Sequence, residues 1–349
     1  MSIMFLVFPS LDRHVHFLQS FCWNFVLRQN GDQQYADLLS NLRVGRTTEE
    51  HYNMLQTRLI TSDGRANVQS ICQTYKTLAN KGQSLLILMP KTNLCDEVNI
   101  AMLREIGTTI HRITAVDTLD TIIDRRLMKK VQQAYDKSEE DVTCTAGLEK
   151  YLQLSVGCKV MLKRNKNVEA GLVNGSVGTV TSFSTTTQGN ITSIDSIAVK
   201  FDKIDNIVNI ERDSASFEVL KSIYYTRKQF SLMLAFTITI HKSQGLSLQT
   251  AIVDAGFSTF GPGMTYVALS RVTSLTGLHL VAFDRSKVAC DQKAVKEYNR
   301  LRCLYTPQLG VNKSCTESGK QKKTTKEAEA DQQKRKKPRT KTKQTAGKT

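Results

Sequence analysis

The sequence predicts an α/β protein: one α/β domain made from residues 68–152 and 229–303, with a β-rich insertion at 153–228. Three observations lead there. Apolar runs closed by turn residues alternate with helical periodicity on both sides of the insertion. Between residues 154 and 226 the texture changes to short strand patterns divided by turns, the rhythm of a small β-barrel. Finally, Phe236-Thr-Ile-Thr-Ile-His-Lys-Ser-Gln-Gly245 runs from an apolar stretch into a knot of hydrogen-bonding side chains, and Tyr266-Val-Ala-Leu-Ser-Arg-Val272 follows an apolar strand candidate at 251–255. That layout suits a protein that handles phosphates at the ends of parallel strands.

The elements read in order as follows. Residues 1–8 are apolar but too short to span a membrane, and no basic residues precede them, so they read as the remnant of a buried element of a longer parent. Residues 30–60 are helical: Tyr35, Leu38, Leu39 and Leu42 recur at helical spacing, Gly45 stops the helix, and Thr47-Thr-Glu-Glu50 restarts one. Residues 85–89 form a continuous apolar run stopped by Pro90, as a buried parallel strand requires. A helix over 93–106 carries Leu94, Val98, Met102 and Ile106 on one face. Residues 110–115 read as a strand, and 118–141 as an exposed helix and loop. Within the insertion, strands are expected at 159–162, 176–183, 196–201, 208–210 and 217–220. Asn174-Gly175 marks a turn and 185–190 a polar loop. Helical texture returns over 232–243. Strands at 250–255 and 278–283 flank another helix, and an amphipathic helix over 291–302 closes the fold. Beyond Pro307 the Lys/Thr/Gln-rich composition predicts a disordered tail, residues 304–349.

The formal net charge of +16 over 349 residues is unevenly spread. Residues 311–349 hold 13 Lys/Arg against 4 Asp/Glu, so the body is only mildly basic and its overall charge is weak support for a nucleic-acid partner. The eight cysteines show no CxxC spacing and read as reduced thiols. His14 and His16 have no third ligand nearby, so no metal site is expected.

Together the motifs resemble the C-terminal motor motifs of superfamily-one DNA helicases, most closely the PIF (petite integration frequency) family and its Helitron relatives. Besides the two segments above, the resemblance rests on Leu86-Ile-Leu-Met-Pro-Lys-Thr-Asn93 with Asn99, and on Ala115-Val-Asp117. It continues through Val156-Gly-Cys-Lys-Val-Met-Leu162, Leu172-Val-Asn-Gly-Ser-Val-Gly-Thr-Val180 and Arg227-Lys-Gln-Phe230. Upstream, Leu27-Arg-Gln29, Leu38-Leu39, Leu42-Arg43 and Gly45 also fit. The resemblance implies that 68–152 plus 229–303 is a RecA-like second motor domain and that the insertion is an SH3-like barrel. Residues 1–67 would be the end of a first motor domain and the crossing into the second. It further implies an ATP-dependent, 5′-to-3′ DNA helicase using ATP and Mg²⁺, acting on single-stranded DNA and duplex junctions, with no membrane partner.

In such a motor, ATP is hydrolysed between two domains, and the second supplies cations to the charge developing on the γ-phosphate. Arg271 matches the family's arginine finger and Arg28 its second cleft arginine; the planar guanidinium suits phosphate oxygens bidentately. Gln244 and the backbone of Gly245 match nucleotide-binding positions. Thr239, His241, Lys242 and Ser243 match DNA-phosphate contacts, and Asn93 a position beside the DNA path. Lys163, Arg164, Lys166 and Asn174 could line a strand channel. Two decoys are set aside. Ala346-Gly-Lys-Thr349 lacks the first glycine of a P-loop and any preceding strand. Asp96-Glu-Val-Asn99 falls inside a predicted helix and not at a strand end. With no P-loop and no Mg²⁺-holding acid, the chain alone is expected not to turn over ATP. The alternative reading is a nucleic-acid-binding module that has kept the fold and lost the motor. Lys334-Arg-Lys-Lys-Pro-Arg-Thr-Lys341 reads as a nuclear-localisation or phosphate-binding patch.

Overall fold

The computed structural model describes residues 29–305 apart from 30, 62–65, 121–123, 139–140 and 189–190. Arg28, residues 1–8, His14, His16 and everything beyond 305, including the tail and its Gly-Lys-Thr end, lie outside the described residues.

Helices α1 (Gln33–Arg43), α2 (Glu49–Gln56) and α3 (Val68–Asn80) come first. Each starts on a side-chain cap: Asp32 accepts from Tyr35 N, Thr48 from His51 N, and Asn67 forms a reciprocal box with Ser70. Strand β1 (Leu85–Met89) and helix α4 (Thr92–Glu105) follow. The chain then builds β2 (His111–Thr114), β3 (Val116–Leu119), α5 (Arg125–Ser138), β4 (Tyr151–Leu154) and β5 (Lys159–Leu162). Long strands β6 (Val177–Gln188), β7 (Ile191–Phe201) and β8 (Ile207–Leu220) lead to β9 (Ile223–Phe230) and β10 (Leu232–Leu234). It returns through β11 (Thr237–Thr239), β12 (Thr250–Ala255), α6 (Met264–Leu269), β13 (Leu278–Phe283) and α7 (Gln292–Tyr305).

Strands β11, β1, β12 and β13 form a parallel sheet in that order. Every residue of β1 and β12 is buried, because helices cover both faces. Leu85, Ile87 and Met89 join the core under α3 and α4, while Leu86 and Leu88 join the one under α1 and α6. Each such side chain contributes about 1.5–3 kcal/mol relative to exposure. On the outer edge of β13, Leu280 N donates to Arg58 O at 2.8 Å and Leu280 O accepts from Ile60 N at 2.9 Å. The Arg58 guanidinium donates to the carbonyls of Leu278 and Thr276 at 2.9 and 2.8 Å.

The second body is a seven-stranded sheet in the order β10-β5-β6-β7-β8-β9-β3, joined by the β2–β4 pair. β8 pairs first with β7 and then, from Arg212 onward, with β9. Because β2, β3 and α5 pair or pack here, the expected boundary at residue 153 falls inside this body. An ion pair is buried where its last two strands meet. Register sets Asp117 on β3 opposite Arg227 on β9. The Arg227 side chain, fully buried, donates through Nε to Asp117 Oδ1 at 2.8 Å and through Nη2 to Oδ2 at 2.6 Å. Its Nη1 donates to Leu148 O at 3.0 Å, and Tyr135 OH donates to Asp117 Oδ2 at 2.6 Å.

Three expectations are corrected. Residues 232–243 are not helical but form β10, β11 and a turn. Phe236, Ile238 and Ile240 alternate with Thr237 and Thr239, the period of a strand, and both faces of the strand lie inside the protein. The polar segment after residue 184 is not a loop: Thr185–Thr187 continue β6 against β7, as threonine's β-branched side chain favours. The buried face of α4 is turned by one position, to Cys95, Val98, Asn99, Met102 and Leu103.

Candidate nucleic-acid interface

The turn after β11 is held by its own backbone. Ile240 N donates to Met89 O at 2.9 Å, Ser243 N to Thr239 O at 3.2 Å, and Leu246 N to Ser243 O at 3.1 Å. Gly245 has φ +88°, a conformation that a side chain would strain. Ser243 is fully buried and its hydroxyl donates to Ile240 O at 2.7 Å. This corrects the expectation that Ser243 meets a DNA phosphate: the hydroxyl closes the turn, because the tight backbone leaves the Ile240 carbonyl needing a donor. Thr239 is half-buried and accepts from Lys242 N at 3.4 Å. His241 and Lys242 stand exposed at the tip, and Asn93 is exposed in the first turn of α4.

The tip of this turn faces a cleft of about 1030 Å³ between the parallel sheet and the β-rich body, whose lining does not include Asn93, Thr239 or Ser243. His241, Lys242, Gln244 and Gly245 line one wall; Lys163 and Asn174 line the other. Lys242 Nζ lies 3.3 Å from Met233 Sδ. Desolvation there, then the positive charge of Lys163, pull its pKa below the ordinary lysine value. Lys163 itself pairs with Glu149 at 3.0 Å. Arg164 and Lys166 are engaged elsewhere, Arg164 with the carbonyls of Ala146 and Ser214 and Lys166 with Asp213. So two of the four expected channel residues line the cleft.

Arg271 sits just past α6 and is only 4% exposed. Its Nε donates to Val267 O at 3.0 Å and its Nη2 to Ser270 Oγ at 2.9 Å, so the guanidinium folds back on the C-terminal turn of its own helix, where a cation is favoured. It is nonetheless wired to the turn: Leu248 N donates to Arg271 O at 2.9 Å and Thr273 N to Leu248 O at 3.0 Å. Gln29, the residue after Arg28, is buried and donates to Val272 O at 2.9 Å.

One strut had no assigned role in the sequence reading. Asn99 is 4% exposed; its Nδ2 donates to Thr237 O and its Oδ1 accepts from Thr237 N, both at 2.9 Å. This clamp ties α4, which carries Asn93, to the strand that carries the turn. The available signal was an amide at the i+1 position beside Val98 on an apolar helix face.

An ATP-dependent DNA helicase PIF1 of Rattus norvegicus is 31% identical over 281 residues, 78% of this chain. The chain belongs to the Pif1 family. A family model described as the 2B domain of DNA helicase Pif1 matches residues 140–183, within the β-rich body. The crystal structure of Pif1 helicase from Candida albicans superposes with a TM-score of 0.57 at 26% identity, covering 78% of this chain and 58% of that one. Pif1 helicase from Bacteroides, in complex with ADP-AlF3 and ssDNA, shares the fold with a TM-score of 0.55 at 22% identity, over 80% of this chain and 56% of that one. The chain spans 37% of the length of the rat Pif1 protein. Among the described residues no helix is long and apolar enough to cross a membrane, and no group of three or more His, Cys, Asp or Glu is placed to hold a metal ion.

Proposed function

We propose that this chain is the C-terminal part of an ATP-dependent, 5′-to-3′ DNA helicase, and that its cleft holds a single strand of DNA. The carrying observation is that His241 and Lys242, on one turn, face Lys163 and Asn174 across one cleft, and that Leu248, just past that turn, is hydrogen-bonded to Arg271. Lysine ammonium groups bind phosphates as point charges, and the loss of counterions makes such binding salt-dependent. The relatives named as ATP-dependent DNA helicases support the same reading.

The division of the chain is part of the proposal. The parallel sheet and its helices form the RecA-like second motor domain, the β-rich body an SH3-like barrel, residues 1–67 the end of a first motor domain and the crossing, and 304–349 a basic tail. ATP, with Mg²⁺, would supply the free energy for translocation. Arg271, Gln244 and the open backbone of Gly245 fit the side of a nucleotide that faces this domain. No Gly-x-x-x-x-Gly-Lys-Ser/Thr segment occurs in the sequence, so the phosphate cradle and the acid that holds Mg²⁺ would come from a partner motor domain. Arg271 would release Val267 O and Ser270 Oγ to reach a γ-phosphate. Direction is read by comparing unwinding of 5′-tailed and 3′-tailed duplexes.

The DNA reading is tested by fluorescence anisotropy of a labelled single strand across a salt series. Binding should weaken steeply with salt, and Lys242→Ala should flatten the log–log slope by about one. No binding, or an unchanged slope, would refute the assignment. The tail at 334–341 is proposed to direct the protein to the nucleus. A reporter carrying residues 304–349 should accumulate there in a eukaryotic cell, and cytosolic retention would remove this part of the reading.

A further inference from the structure

The loop between β12 and α6 leaves two large rings outside the fold: Phe257 is 83% exposed and Phe260 65%. The backbone beneath them is pinned. Gly256 N donates to Asp254 Oδ1 at 2.9 Å, Thr259 N to Gly256 O at 3.1 Å, and Gly263 N to Ala289 O at 2.7 Å. A Cβ on Gly256 would stand 2.7 Å from Ala282 Cβ, so the loop starts tight against β13. Thr259, between the two rings, is buried. The rings are therefore held out by an ordered loop.

Their surroundings differ. Lys287 Nζ lies 4.7 Å from the Phe257 centroid, so a cation already occupies that ring face. The Phe260 ring lies 6.1 Å from the His241 ring with the planes 34° apart. His241 lines the cleft, which puts Phe260 one ring beyond its end.

A phenyl ring cannot hold a phosphate. What it offers is a flat apolar π face, and every nucleobase can stack on such a face whatever its hydrogen-bonding edge. We infer that Phe260 is a stacking platform for a nucleobase of the strand held in the cleft, with His241 and Lys242 taking the neighbouring phosphates. This rests on the single-strand reading above. It adds a residue outside the matched motif and a sequence-tolerant contact that charge alone does not supply.

The test uses the whole chain and its Phe260→Ala, Phe260→Trp and Phe257→Ala variants. Each is titrated against a thymine oligonucleotide and against its abasic counterpart, across a salt series. On the thymine strand Phe260→Ala should lose about five- to 150-fold in affinity, the range of one base–aromatic stack, with the salt slope unchanged because no phosphate contact is lost. On the abasic strand the same change should have no effect. Phe260→Trp should restore binding, and Phe257→Ala should leave it unaltered. Equal losses on both strands, no loss on either, or a lower melting temperature for Phe260→Ala would overturn the platform. A parental chain that binds neither strand would overturn the DNA reading itself, and the platform with it.

Discussion

Replacing Arg271 by alanine, in a protein joining this chain to a P-loop-bearing motor domain, is expected to cut ATP turnover by about three to five orders of magnitude. Lysine should rescue little, since it keeps the charge but loses the fork that donates to two oxygens at once. The isolated chain should show no hydrolysis with or without DNA. Because Arg271 is buried and donates to Ser270 Oγ and Val267 O, truncation also removes the donor to Ser270 Oγ, while Val267 O keeps the Ser270 hydroxyl at 3.0 Å, at a cost of about 1–3 kcal/mol. Melting curves therefore accompany the kinetics, and rates are compared well below the variant's transition. An Arg271→Lys enzyme as fast as its parent would refute the finger assignment. Wild-type DNA binding without turnover in the joined protein would favour a nucleic-acid-binding module.

Asp117→Ala is expected to destabilise the β-rich body by about 3–5 kcal/mol, measured by urea or thermal unfolding. The mechanism is the charge left behind: Arg227 is fully buried and would lose the carboxylate while keeping its hydrogen bond to Leu148 O. Replacing both partners with apolar residues should cost far less than replacing one. The pair also predicts a pH dependence. Burial, the largest single effect on Asp117, raises its pKa, but the hydrogen bonds from Arg227 and Tyr135 together with the nearby positive charge outweigh it and hold the carboxyl below its ordinary value. A depressed folded-state pKa contributes stability that is fully present above the unfolded value, about 3.9, and is lost as pH falls through the folded one. Acid unfolding below about pH 4 should thus be less steep in Asp117→Ala than in the parent. An unfolding free energy within about 1 kcal/mol of the parent would show the pair to be dispensable.

What the sequence disclosed followed from period and length. The strands at 250–255 and 278–283 were legible to the residue, because continuous apolar runs between turns have one sensible reading in a two-sided sheet. The three-residue strands β10 and β11 were not, since so short a stretch also fits a helical pattern. Asp117 and Arg227 both fell in recognised motifs, yet nothing in one dimension says that register sets them face to face. Of the site, the exposed His241 and Lys242 were foreseeable from residue type. The inward turn of Ser243 and the folded-back Arg271 depend on backbone carbonyls left over by tight turns, which leave no mark on composition.

The Asn99 clamp has a consequence for how copies of this protein meet one another. β11 is the outermost strand of its sheet, and an open strand edge is a template on which a second chain can add. Ile87 N takes Phe236 O on the inner side, so the outward-facing groups are those of Thr237 and Thr239; the Asn99 amide occupies both of Thr237, and Thr239 O accepts from Ser243 N. One side chain here imitates the backbone of a missing strand. Crowded copies find the donor and acceptor of Thr237 already taken at this border of the four described strands. Valine at position 99 would keep much of the shape and reopen the border, turning a closed edge into a seed for strand-to-strand aggregation.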